Sequence, residues 1–130
     1  MIQMMQTVGG LIIQCRHILV VRAGDKWVFP GGHVENDEYD DECLEREIKE
    51  ELSGLSFTSM RYFGSFHGWS QSRNLPLTMQ AYFIRPKDHV FIPSGEITQA
   101  ALIAGKDTKR YNLALMTKSC IEALRYKGFL

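Results

Sequence analysis

Cysteine is scarce in this chain of 130 residues: Cys15, Cys43 and Cys120 are odd in number, widely spaced and without any CxxC pair. A disulfide framework is therefore excluded as the organising principle, and reduced cytosolic thiols are the expectation. No uninterrupted apolar stretch approaches the length of a membrane span. The opening residues, MIQMMQTVGG, lack the basic start and apolar core of a secretory leader. Net charge is also missing, at +0. Neither a Walker-type nor a dinucleotide glycine motif occurs. What remains is ordinary globular composition, 45% hydrophobic and 23% charged, at a length suited to one domain over residues 1–130.

The neutral total conceals a strong asymmetry. Ten of the fifteen acids lie within residues 35–51, opposed there only by Arg46 and Lys49, while thirteen Lys and Arg face five acids elsewhere. An acidic patch that holds a cation, beside basic groups that hold a polyphosphate, would use both halves of this pattern. A solvated helix face is the plainer alternative.

Apolar spacing organises the rest. Residues 7–15 (TVGGLIIQC) and 18–22 (ILVVR) read as a β-hairpin around Arg16 and His17. Residues 23–25 form a turn and residues 27–29 a short strand ended by Pro30, Gly31 and Gly32. From Asp40 onward, Leu44, Ile48 and Leu52 recur every four residues and predict a helix stopped by Gly54, with the acids of residues 37–41 at its N-terminus. Residues 57–67 and 77–85 read as strands joined by a polar loop over 68–76, and residues 96–104 as a further extended piece. Leu113, Met116, Cys120, Ile121 and Leu124 form the stripe of a second helix, with Asn112 as N-cap and Gly128 beyond its end. The order predicts a mixed-sheet α+β or α/β/α sandwich.

Glu47, Glu50 and Glu51 stand at i, i+3 and i+4, so a helix places three mutually repelling carboxylates a turn apart on one face. Oxygen-only clusters of this kind suit hard divalent ions such as Mg2+ or Mn2+. Their setting is a glycine, five residues, a glutamate, seven residues and then Arg-Glu-aliphatic-x-Glu-Glu. Gly32, Glu38, Arg46, Glu47, Ile48, Glu50 and Glu51 fall in that register. This segment, residues 32–55, resembles the Nudix box, and flanking pieces such as TVGGLIIQ and WVFPGG match the family pattern less specifically.

The resemblance to MutT-like Nudix hydrolases implies a loop-helix-loop metal site on an α/β/α sandwich. It implies metal carboxylates from Glu47, Glu50 and Glu51 and a backbone carbonyl from Gly31 or Gly32, with Mg2+ or Mn2+ as cofactor. Arg46 takes a supporting role, orienting Glu47 or pairing with Glu38. The expected substrate is a nucleoside diphosphate linked to another group X, nucleoside triphosphates included. No membrane or stable nucleic-acid partner is expected, the setting is cytoplasmic, and homodimerisation stays open. A non-catalytic module binding nucleotide or RNA on the same fold is the runner-up, and a nonspecific cation-binding domain is a third reading.

This chain departs from the family pattern twice. The usual Glu-Glu-x-Gly-aliphatic becomes Glu50-Glu51-Leu52-Ser53-Gly54, with the helix-ending glycine one residue late. The extra glutamate that several members place in a late loop or strand has one good candidate, Glu96, with Gln99 where another acid could stand. Glu96 is a base, a further ligand or a strand-edge charge.

The remaining candidates are weaker. Asp37, Asp40 and Asp41 lack the glycine and final spacing of a calcium loop. His33, His67 and His89 are not at metal-pair spacing, although His33 follows the glycines and could touch phosphate. Phe66, Trp69 and Tyr82 could stack on a base but are more simply packing residues. Cys43 reads as a small core residue, since acidic surroundings oppose thiolate formation.

Overall fold

The computed structural model describes residues 4–70 and 73–130. Among these described residues, eight strands and two α-helices follow in the order β1 Met5–Leu11, β2 Ile13–Gln14, β3 His17–Ala23, β4 Lys26–Val28, β5 Gly31–His33, α1 Asp40–Glu51, β6 Phe57–Ser70, β7 Leu75–Pro86, β8 Ile97–Ala104 and α2 Leu115–Tyr126. A short 3-10 helix, Gly105–Arg110, precedes α2. The predicted mixed-sheet α+β architecture is the one observed, as two four-stranded sheets rather than one.

In the first sheet the order is β5-β1-β7-β6, with β1 and β7 parallel and the other pairs antiparallel. In the second, β3 lies between β4 and β8 and also pairs with β2. The predicted hairpin thus survives only as β2 against β3, turning through Cys15 and Arg16 at positive φ. Residues 7–11 leave it for the other sheet, because an apolar alternating strand is equally content in either and tertiary pairing decides. Similarly, Gly31 and Gly32 do not merely end a strand; with His33 they make β5, antiparallel to β1.

Helix α1 begins where the acids predict. Asp40, Asp41 and Glu42 occupy its first turn, favourable at the positive end of the helix dipole. The Glu42 carboxylate accepts the Tyr39 N–H at 3.0 Å. Its stripe is sealed: Cys43, Leu44, Ile48 and Leu52 are buried against Val8, Ile12, Ile84 and Ile97. Burying each such aliphatic side chain contributes about 1.5–3 kcal/mol, so this face orients the helix and leaves the glutamates beside it. Tyr82 donates a hydrogen bond to Asp40 that ties the start of α1 to the sheet.

A second core gathers Leu11, Ile18, Val20, Phe29, Met79 and Ile103 under Cys120, Ile121 and Leu124 of α2. Gly128 lies past the end of α2 at φ +86, as predicted. Asn112 does not cap α2; the N-cap is Ala114. Instead Asn112 binds the β3–β4 turn, donating from Nδ2 to the Asp25 carbonyl at 2.9 Å and accepting from Lys26 Nζ at 3.3 Å. Of the predicted polar loop, residues 71 and 72 lie outside the described residues. Among the described residues, no helix is long and apolar enough to cross a membrane.

Candidate active site

Backbone geometry builds the site before any side chain does. Gly31 has φ +149, and a Cβ there would sit 2.0 Å from the Val8 carbonyl oxygen. At Gly32 a Cβ would fall 2.5 Å from the Glu47 carboxyl carbon. No other residue type lets strand β5 approach β1 and α1 so closely. The approach lets the Gly31 N–H donate to Glu51 Oε1 at 2.8 Å. It also lays the Glu47 carboxylate against Gly32.

Arg46 organises the other side. Its Nε and Nη2 form a two-pronged pair with Glu38 at 2.8 and 2.9 Å. Nη1 donates to Glu47 Oε1 at 2.9 Å, and Nη2 also reaches the His33 carbonyl at 3.2 Å. Arg46 thus pairs with Glu38 and hydrogen-bonds Glu47 at the same time. Bidentate geometry of this kind is specific to guanidinium. The Arg46 hydrogen bonds and the Glu35 N–H hold the Glu38 carboxyl down to about 2. Because that value is depressed, the pairing is at full strength above Glu38's ordinary 4.5 and fades as pH falls towards 2.

Glu51 is the electrostatic centre. Burial chiefly pushes its carboxyl up to about 8, and the carboxylates of Glu47, Glu50 and Glu96 add to the rise against the Gly31 hydrogen bond. Burial also raises Glu47, with Arg46 opposing. Glu50 is the outermost of the three, its side chain 59% exposed and 3.9 Å from Arg46 Nη1. Among the described residues, no three acid, imidazole or thiol side chains converge at ligating distance; Arg46 and the Gly31 N–H hold Glu47 and Glu51 instead.

Glu96 sits in the turn before β8, not in the strand as the sequence reading had it. That turn lies on the last turn of α1, with Gly95 against the Glu50 carbonyl. The structure thus brings Glu96 to the predicted carboxylates. Gln99 is elsewhere, hydrogen-bonded to Arg22 between β3 and β8.

The other candidates separate cleanly. Cys43 is buried, donates to the His33 carbonyl at 3.3 Å, and is pushed up to about 12 chiefly by burial, as a core thiol should be. Phe66 packs in the α2 core and Tyr82 is engaged with Asp40, whereas Trp69 stays exposed. His67 bonds Thr78 and His89 bonds Gln14. His33 has its pKa lowered by burial and then by Arg73, a nearby cation that no spacing pattern flagged. An open cavity of about 740 Å3 lies at the far ends of β1 and β7, beside Leu11, Arg61, Phe83 and Arg85; none of the box carboxylates lines it.

Residues 4–114 match the NUDIX domain family. The chain belongs to the Nudix family. As a Nudix hydrolase it falls among enzymes that act on phosphoric anhydrides. No curated protein matches significantly. Among solved structures, the ORF135 protein of E. coli is similar at 24% identity and TM-score 0.76, over 98% of this chain and 94% of that one. The MutT Nudix hydrolase of Burkholderia pseudomallei is similar at 20% identity and TM-score 0.80, covering 92% and 97%. The MutT protein of Methanosarcina mazei Go1 is similar at 18% identity and TM-score 0.80, covering 97% and 96%. At identities this low, the TM-scores show a shared fold.

Proposed function

We propose that this Nudix domain is a Mg2+-dependent hydrolase, Mn2+ serving as an alternative, that cleaves the pyrophosphate linkage of a nucleoside diphosphate joined to another group X. The observation that carries the reading is the half-buried Glu51 carboxylate, whose pKa is raised by burial and by the nearby charges of Glu47, Glu50 and Glu96, with the Gly31 N–H as its hydrogen-bond donor. Like charges gathered in a partly buried place favour a cation, and the donors are all oxygen, the chemistry hard divalent ions accept. Glu47, Glu50, Glu51 and a backbone carbonyl at Gly31 or Gly32 would hold the ion. When bound, it would offset phosphate charge and lower the pKa of an attacking water.

The chain's own contributions are positional. Arg46 orients Glu47 while Glu38 holds Arg46; the glycines keep β5 against the helix; Glu96, whose charge is felt at Glu51, would serve as base or further ligand. Arg73, whose charge is felt at His33, would meet a polyphosphate together with that imidazole. Nucleoside triphosphates are the preferred class, and the free thiols are in keeping with a cytoplasmic setting. A panel of nucleoside triphosphates, dinucleoside polyphosphates, ADP-ribose and nucleotide sugars, assayed with Mg2+ for phosphate or nucleotide release, tests this. At least one member is cleaved; binding without cleavage of any would instead identify a non-catalytic module.

A further inference from the structure

The box of this chain has one residue more than the usual pattern at its exit, and that residue, Ser53, has an unusual partner. Leu52 N–H still donates to the Ile48 carbonyl, and Gly54 N–H to the Lys49 carbonyl, at 2.9 and 2.8 Å. Ser53 sits between them at positive φ, and its N–H donates instead to Ser94 Oγ, 2.7 Å away and 41 positions later in sequence. The same hydroxyl donates to the Glu50 carbonyl at 2.6 Å, and the Ser94 N–H donates to the Glu51 carbonyl at 2.9 Å. Carbonyls in the last turn of a helix have no partner inside it, so one serine satisfies two of them and the displaced N–H together.

Ser94 is also the first residue of the turn that carries Glu96: its carbonyl accepts the Ile97 N–H at 3.1 Å. Between them Gly95 has φ +60, and a Cβ there would meet the Glu50 carbonyl oxygen at 3.0 Å. A side chain there would be strained by that φ and would press on the Glu50 carbonyl.

We infer that Ser94 is a positioning residue which locks the Glu96 turn onto the C-terminal end of the box helix, and that this lock takes up the extra residue in the box. Its backbone and hydroxyl hold the carbonyls of Glu50 and Glu51, two of the residues proposed above to hold the metal. Any drift of the turn therefore moves Glu96 relative to them. The inference rests on Glu96 belonging to the site of the proposed reaction.

The test uses the full chain with Mg2+ and the compound most rapidly cleaved in the panel above. Ser94→Ala lowers the single-turnover rate about tenfold or more, as small misplacements of reacting groups do, with KM within about twofold. Ser94→Thr, which keeps the hydroxyl, recovers most of the rate. Glu96→Gln costs much less in the Ser94→Ala background than in the wild type, because the turn is already displaced. Amide hydrogen exchange of the metal-free protein gives an independent readout: Ser53 and Ile97 lose protection in Ser94→Ala, whereas Leu44 and Ile48 keep theirs. Gly95→Ala produces the same pattern by pushing the turn off Glu50. A wild-type rate for Ser94→Ala, or independent multiplication of its effect with that of Glu96→Gln, overturns the inference. If Glu96→Gln alone runs at the wild-type rate while Glu51→Gln collapses, Glu96 is outside the chemistry and the inference falls with it. If Glu51→Gln is also unimpaired, the box itself is not the active site.

Discussion

Glu51→Gln will abolish most turnover and, without metal, make the protein more stable. The amide keeps an oxygen for the Gly31 N–H and removes the charge that burial and three neighbouring carboxylates oppose. Loss of an outer partner of a metal ligand typically costs 10–100-fold, so loss of the ligand charge should reduce kcat by about 100-fold or more. The stability effect has a definite pH course. A folded-state pKa raised from 4.5 to about 8 means that the wild-type fold holds its proton more tightly than the unfolded chain. Wild-type stability therefore falls as pH rises between those values, while the variant is spared this loss. Its advantage in EDTA grows through that window and is about 3 kcal/mol near pH 7. Thermal melts of both proteins from pH 5 to 8, with and without Mg2+, measure it. A variant that is less stable in EDTA at every pH would show that Glu51 is not under electrostatic strain.

The two glycines of β5 should fail in different ways. Gly31→Ala places a methyl 2.0 Å from backbone, the Val8 carbonyl, at a φ that L-residues rarely adopt. Strand β5 must separate from β1, and destabilisation of roughly 3 kcal/mol or more is expected. Gly32→Ala first meets the movable end of Glu47. It displaces that carboxylate from Arg46 and the site, so activity is lost with a much smaller change in stability. Denaturant unfolding beside turnover distinguishes them. Equal stability losses for both would mean that the Gly32–Glu47 contact is structural alone.

These contrasts show what sequence could and could not convey. Fixed spacing made Glu47, Glu50, Glu51 and Arg46 legible, since a helix converts i, i+3 and i+4 into a shared face without help from the rest of the fold. The apolar stripe of Leu44, Ile48 and Leu52 was legible for the same reason. Partner choice was not. Residues 7–11 carry nothing that distinguishes pairing with β3 from pairing with β5 and β7, and the parallel register with β7 is set some seventy residues away. Asn112 has the chemistry of a helix cap, yet the approach of Trp27 to Leu113 redirects it to the β3–β4 turn. Ser53 looked like a small irregularity in the box exit. Its counterpart, Ser94, is visible only after the chain has folded back on α1.

Metal dependence tests the central claim most directly. Hydrolysis of the best substrate should be measured in Mg2+, after EDTA, and after Mg2+ is restored in excess. The account predicts turnover with Mg2+, its abolition by EDTA and its recovery on readdition, in the wild type but not in Glu51→Gln. Hydrolysis undiminished in metal-free buffer would contradict it.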